Sequence, residues 1–190
     1  MGILVLGLAL FLGTHSIAIA APQLRNRAIA RLGEGGWKGL YAVLSLAGFV
    51  LLVYGFGVAR HSPVVLYTPP HFLRHVTFLF MLPVFPLLFA AYLPGRIKSA
   101  VKHPMLAAVK FWAFAHLLSN GTLADVVLFG AFLVWAVLDR ISLKHRAPAI
   151  LRTAPARRFN DLAAVLLGLA AYVLFIVWAH RWLIGVSPLG

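Results

Sequence analysis

Apolar residues run along this chain in long blocks, not in the alternation of a half-buried strand or the one-sided stripe of a surface helix. Six blocks stand out, at residues 2–21, 39–59, 76–94, 103–118, 122–138 and 162–185. Runs of roughly 17 to 25 apolar residues are long enough to cross a bilayer as helices. The pattern therefore predicts an all-α polytopic membrane protein, a six-helix transmembrane bundle. The fourth and fifth blocks are short, and only Ser119, Asn120 and Gly121 separate them, which predicts a tight helical hairpin. Six crossings use up nearly all of the 190 residues, so the chain reads as a single transmembrane domain, 1–190.

Polar and breaking residues divide these blocks in ways that carry their own expectations. In the first connection helical character should hold as far as Leu32, where "GEGG" breaks it, and Trp37 and Tyr41 suit an interfacial aromatic belt. The connection "RHSPVVLYTPPHFLRH" is dense in proline, aromatics and histidine, and reads as ordered rather than as a flexible linker. Pro83 and Pro86 remove backbone donors from the third block and predict a kink there. The basic stretch from Asp139 to Asp161 reads as an amphipathic surface segment lying on the inner leaflet. No repeat of fixed period is visible.

Charge fixes an orientation for the six crossings. Fourteen of the seventeen lysines and arginines fall in segments 25–38, 96–110 and 140–158, all on one side, and only Arg60, Arg74 and Arg181 fall on the other. That asymmetry is the positive-inside rule, and it puts both termini on the periplasmic side of a bacterial inner membrane. It also accounts for the net charge of +13 through orientation and attraction to anionic lipid, so no nucleic-acid partner is expected. The first block ends in small residues that resemble a signal-peptidase site. The charge alternation, the absence of a preceding basic residue and the interrupting His15 favour a retained helix.

Composition narrows the chemistry. Cysteine is absent, which excludes disulfides, thiolate ligands and cysteine nucleophiles. No nucleophile elbow, phosphate loop, H-E-x-x-H sequence or paired carboxylates occur. Of four acids, Asp139 sits beside Arg140 and Asp161 is placed to start a helix. Asp125 has no basic neighbour in sequence, and a histidine would be its natural partner. Among the eight histidines, His61, His71, His75, His116 and His180 fall near the outer face, and His103 and His145 near the inner one. His15 lies inside the first block, roughly 9 Å from its inner end.

His103 and His116 are thirteen residues apart, hence roughly 20 Å along a helix and about 140° around it, and cannot share one ion. His103 and Lys110 share a face and read either as a helix start with a snorkelling lysine or as an anion- or propionate-binding edge. His116 reads as an axial ligand oriented through its other ring nitrogen or as a hydrogen-bonded core histidine. Two axial nitrogens on one iron stand about 4 Å apart. By depth, His116 pairs most easily with His75 or His61, and His15 with His103.

The fragments "LGTHS", "RLGEGGWKGLYAVLSLAGFVLLVYG", "LPGRIKSAVKHPMLAAVKFWAFAHLLSNG" and "LFGAFLVWAVLDRISLKHR" resemble the NnrU family of bacterial membrane proteins, from near Met1 to about Arg146. That resemblance implies a link to denitrification and nitric oxide metabolism, with a possible membrane-protein partner in nitrogen-oxide respiration. NnrU proteins are in turn similar to the zeta-carotene cis–trans isomerase, a membrane enzyme that uses haem b with histidine ligation. Carried over by motif, the haem-linked histidines match His15 in "THS", His61 in "ARHSP" and His116 in "WAFAH". The isomerase has a cysteine three residues before the last of these, where this chain has Ala113. The leading expectation is a haem b-binding inner-membrane protein with iron on His116 and His15. The alternatives are an isomerase-like enzyme acting on a hydrophobic, carotenoid- or isoprenoid-like molecule, and a non-catalytic accessory protein.

Overall fold

The computed structural model describes residues 1–146 and 153–190, so Arg152 and the middle of the last basic connection lie outside the described residues. The described residues are helical, apart from their connections and one isolated antiparallel bridge between Val65 and Thr122. They form two compact units, one of residues 1–69 and 120–145, the other of residues 70–119 and 146–190.

The first unit holds α1 (Gly2–Ala20), α2 (Pro22–Arg60) and α7 (Leu123–Ser142). Gly33, at φ 72° and ψ 169°, breaks α2 directly after Leu32, where the "GEGG" sequence predicts it. A positive φ of this kind suits glycine, which has no Cβ to clash. Beyond the break, α2 runs antiparallel to α1 with backbones nearly touching. Leu4 lies against Gly55, Gly7 against Leu52 and Phe11 against Gly48. Steps forward along α1 are matched by equal steps back along α2, and small residues at the contacts let two helices approach this closely.

The second unit holds α3 (Leu73–Met81), α4 (Val84–Tyr92), α5 (Arg96–Val101), α6 (Pro104–Ser119), α8 (Asn160–Leu174) and α9 (His180–Ile184), with a π-helical turn, Phe175–Ala179, between the last two. In the third block, where a kink is expected, Leu82 and Pro83 part α3 from α4 while both keep right-handed helical φ/ψ. Pro86 sits in the first turn of α4, where its missing N–H has no partner to lose. α4 packs against both α6 and α8, across Ala90, Ala91, Ala108, Ala113 and Ala164, all almost fully buried. Thr77 Oγ1 joins α3 to α6 by donating to the Ala115 carbonyl at 3.1 Å, and Tyr172 donates its hydroxyl to Phe78 O at 2.8 Å.

Bulk faces outward. Leu46 is 63% exposed, Val43 65% and Trp182 69%, whereas the buried positions are dominated by alanine and other small residues. In water that arrangement would be costly at about 25 cal/mol per Å² of exposed apolar surface; in lipid it is the expected one. Four helical stretches are long and apolar enough to cross a membrane, at Gly2–Ala20, Pro22–Arg60, Leu73–Tyr92 and Asn160–Ile184. The other two expected crossings are present as helices of a different character. α6 has 16 residues, and α7, with 20, carries Asp125, Asp139 and Arg140. The chain is thus a helical membrane protein, with four stretches among the described residues that meet the length and composition of a crossing.

Candidate functional site

Within the first unit, polar side chains collect around His15 on α1. The His15 ring is half-buried and its Nδ1 donates to Phe11 O, one turn earlier, at 2.7 Å. A carbonyl only accepts, so Nδ1 carries a proton, and Nε2 is the nitrogen left to face other partners. Three aromatic rings bracket the imidazole. Phe11 is tilted against it with centroids 4.3 Å apart, Tyr41 of α2 meets it edge-on at 5.3 Å, and Trp135 of α7 stands perpendicular at 6.1 Å. The Trp135 Nε1–H is buried with no hydrogen-bond partner. Ser45 lies one turn from Tyr41 on α2, and its buried hydroxyl faces Tyr41 without reaching hydrogen-bonding geometry. Asp139, one turn beyond Trp135, is buried and close enough for its charge to act on Tyr41. An orphaned buried donor costs about 1–3 kcal/mol, and native folds seldom carry one without a reason.

In the second unit, His116 on α6 repeats the same device. Its Nδ1 donates to Trp112 O, one turn back, at 2.9 Å, as the Nδ1 of His15 does to Phe11 O. The Trp112 ring lies 5.5 Å away. Ala113 is fully buried in the helix packing.

The remaining expected site residues are placed differently. His61 caps the C-terminus of α2 and is exposed. His75 on α3 is also exposed, because Thr77 is the α3 residue turned toward α6 and two residues along a helix rotate about 200°. His103 immediately precedes α6, its carbonyl accepting from Ala107 N at 3.1 Å, with Pro104 in the first helical position. Before it, Lys102 holds φ 65° and ψ −46°, and His103 N donates to Val101 O at 2.8 Å, which makes a γ-turn. Lys110 is half-buried on α6. Among the described residues no three histidine, aspartate or glutamate side chains gather closely enough to hold a metal ion; a haem iron asks for only one or two.

The carboxylates correct one expectation and extend another. Asp125 is not partnered by a histidine. Its carboxylate accepts from Thr122 N at 3.1 Å and Thr122 Oγ1 at 2.6 Å, while Thr122 Oγ1 accepts from Asp125 N. This is a capping box that starts α7. Asp161 lies in the first turn of α8, but its carboxylate serves another helix, accepting from Arg96 N at 2.8 Å and Ile97 N at 3.0 Å at the start of α5. The proline-rich connection is ordered by pairing with the turn before α7. Leu66 N and Tyr67 N donate to Gly121 O, Leu123 N donates to Val64 O, and the Tyr67 hydroxyl donates to Asn120 O at 2.7 Å. Partial burial, followed by the charge of Asp125, raises the Tyr67 phenol above its ordinary value.

Sequence reasoning passed over Trp135, Ser45 and Tyr41 as site residues. The signal was there: Tyr41–Ser45 and Trp135–Asp139 are polar pairs one turn apart inside apolar helices, where such residues are rare and mark function. Comparison with curated proteins and with solved structures gives no match. The family model for NnrU protein matches residues 3–188, nearly the whole chain, and the protein therefore belongs to the NnrU family.

Proposed function

We propose that this NnrU-family protein spans a bacterial inner membrane six times, with both termini periplasmic, and holds haem b through histidines in nitrogen-oxide metabolism. The observation that carries the haem reading is the shared anchoring of His15 and His116. Each ring is half-buried on a membrane helix, with Nδ1–H tied to its own helix's carbonyl and Nε2 left to face other partners. That is how protein scaffolds orient axial imidazoles and raise their basicity. These donors fit haem iron, and the unpaired Trp135 Nε1–H beside His15 is a further polar group that an occupant would satisfy.

His116 and His15 are the proposed iron ligands. His103, just before α6, and Lys110 on α6 suit a propionate edge, and exposed His61 and His75 stand as alternative ligands. When bound, haem supplies one-electron and diatomic-gas chemistry. The chain's own residues orient the imidazoles, fix their tautomer and limit water through the aromatic bracket of Phe11, Tyr41 and Trp135. The nitrogen-oxide assignment draws on the family resemblance, and the six-crossing topology on the fourteen-to-three charge asymmetry.

The test is the haem content of protein purified from haem-replete cells, read as the pyridine haemochrome. The expected result is haem b that is lost in His116→Ala and His15→Ala and kept in His71→Ala. A colourless protein, or retention in both ligand variants, would sink the reading.

A further inference from the structure

A strap of residues runs across the start of α5 in the second unit. Ala154 N donates to Tyr92 O at 2.9 Å, Asn160 Nδ2 donates to Pro94 O at 2.9 Å and Pro155 O at 3.0 Å, and Asp161 holds Arg96 N and Ile97 N. These bonds hold the segment that carries Arg157 and Arg158 against the turn that leads into Arg96, and all three arginines are exposed. Asp161 is the sole side-chain carboxylate in the sequence of this unit, residues 70–119 and 146–190. Its oxygens are already taken by backbone donors, so the arginines find no side-chain counterion within the unit.

Between the arginines and α8 stands Phe159, 66% exposed, with the Arg158 guanidinium 5.8 Å over its face. Phe159 is the residue before α8, and Leu162 and Leu166 on the first turns of that helix are 54% and 58% exposed. α8 begins one of the stretches apolar enough to cross a membrane. The strap therefore sits at the end of a crossing, at the depth where phosphates meet acyl chains. An aromatic flanked by cations is the side-chain set that enters that layer.

We infer that the strap is a docking site for anionic phospholipid headgroups, with Arg157, Arg158 and Arg96 on the phosphate and Phe159 inserted beside the acyl chains. Neither iron nor any histidine takes part, so the inference stands apart from the haem reading. Native mass spectrometry of the full-length protein in detergent, titrated with phosphatidylglycerol or phosphatidylcholine of the same chains, tests it. The wild type is expected to retain phosphatidylglycerol preferentially. R157Q/R158Q is expected to weaken that retention about thirtyfold, given the usual worth of two cations at a lipid surface, without changing phosphatidylcholine retention. R25Q/R27Q, an equal loss of charge on α2, is expected to leave it within about threefold. Equal losses in the two double variants, no preference in the wild type, or displacement of the lipid by millimolar inorganic phosphate would overturn the site.

Discussion

Replacing Gly48 by alanine tests the account of how α1 and α2 are held. A Cβ at Gly48 would stand 2.6 Å from Phe11 N and 2.9 Å from Phe11 Cα, both backbone atoms that no rotamer change can move. Ordinary contact starts at 3.4 Å, so the two helices must part locally by about 0.8 Å. Overpacking of this kind costs about 1–3 kcal/mol. Alanine's better helix propensity returns about 0.5–1 kcal/mol, which leaves a net loss of about 0–2.5 kcal/mol, centred on about 1 kcal/mol. Gly57 provides the internal control. It lies on the same helix with nothing within 4 Å of its Cβ position, so G57A should gain the propensity term alone. Gly48 and Gly55 press on one partner helix, so a separation forced at one relieves the other, and the double variant should lose less than the two singles added. The assay is loss of helical circular dichroism on titrating the detergent-solubilised protein with dodecyl sulfate. If G48A unfolded at the same midpoint as G57A, or at a higher one, the close backbone contact would be refuted.

Three further outcomes follow from single groups. D161N keeps the shape of the cap but removes its charge from Arg96 N and Ile97 N; it should cost about 1–3 kcal/mol, read in the same unfolding titration, and no loss would show that the cap contributes nothing. Tyr67 is a phenol whose folded-state pKa lies above its unfolded value of 10.0. Its stabilising contribution is therefore full below pH 10 and is lost as pH climbs through the folded value. Stability measured from pH 8 to 12 should fall more steeply in the wild type than in Y67F, and parallel curves would contradict the hydroxyl's bond to Asn120 O. W135F removes a buried N–H that has no acceptor. The haem-free protein should change by no more than about 1 kcal/mol, while haem retention on dilution should fall; a large loss of stability in the empty protein would show that the indole N–H is already paired.

Local patterns in the sequence carried much of the fold. Apolar blocks located the helices, Pro83 located the break between α3 and α4, and Gly33 ended the first arm of α2 where its sequence said it should. The Thr122-x-x-Asp125 cap was equally local and could have been recognised by its spacing. It was obscured because an intramembrane acid invites a search for a distant cation. Asp161 was harder. Its position in the first turn of α8 is visible in sequence, but the helix it serves begins at Arg96, sixty-five residues earlier. His15 and His116 were legible as candidates because imidazoles in apolar helices are rare. What the sequence could not supply was the set of side chains around His15, contributed by α2 and α7 through packing that no local rule encodes. His75 illustrates the converse. Its depth suited a pair with His116, but a rotation of two residues relative to Thr77 takes it to the exposed face of α3.

Two imidazoles anchored to their own helices through Nδ1 stand at the centre of the proposed function, and low-temperature electron paramagnetic resonance of the oxidised, purified protein addresses them most directly. The account predicts a ferric haem signal with imidazole ligation, altered or abolished by His116→Ala and by His15→Ala. A signal that neither substitution alters, or an iron-free protein from haem-replete cells, would contradict it.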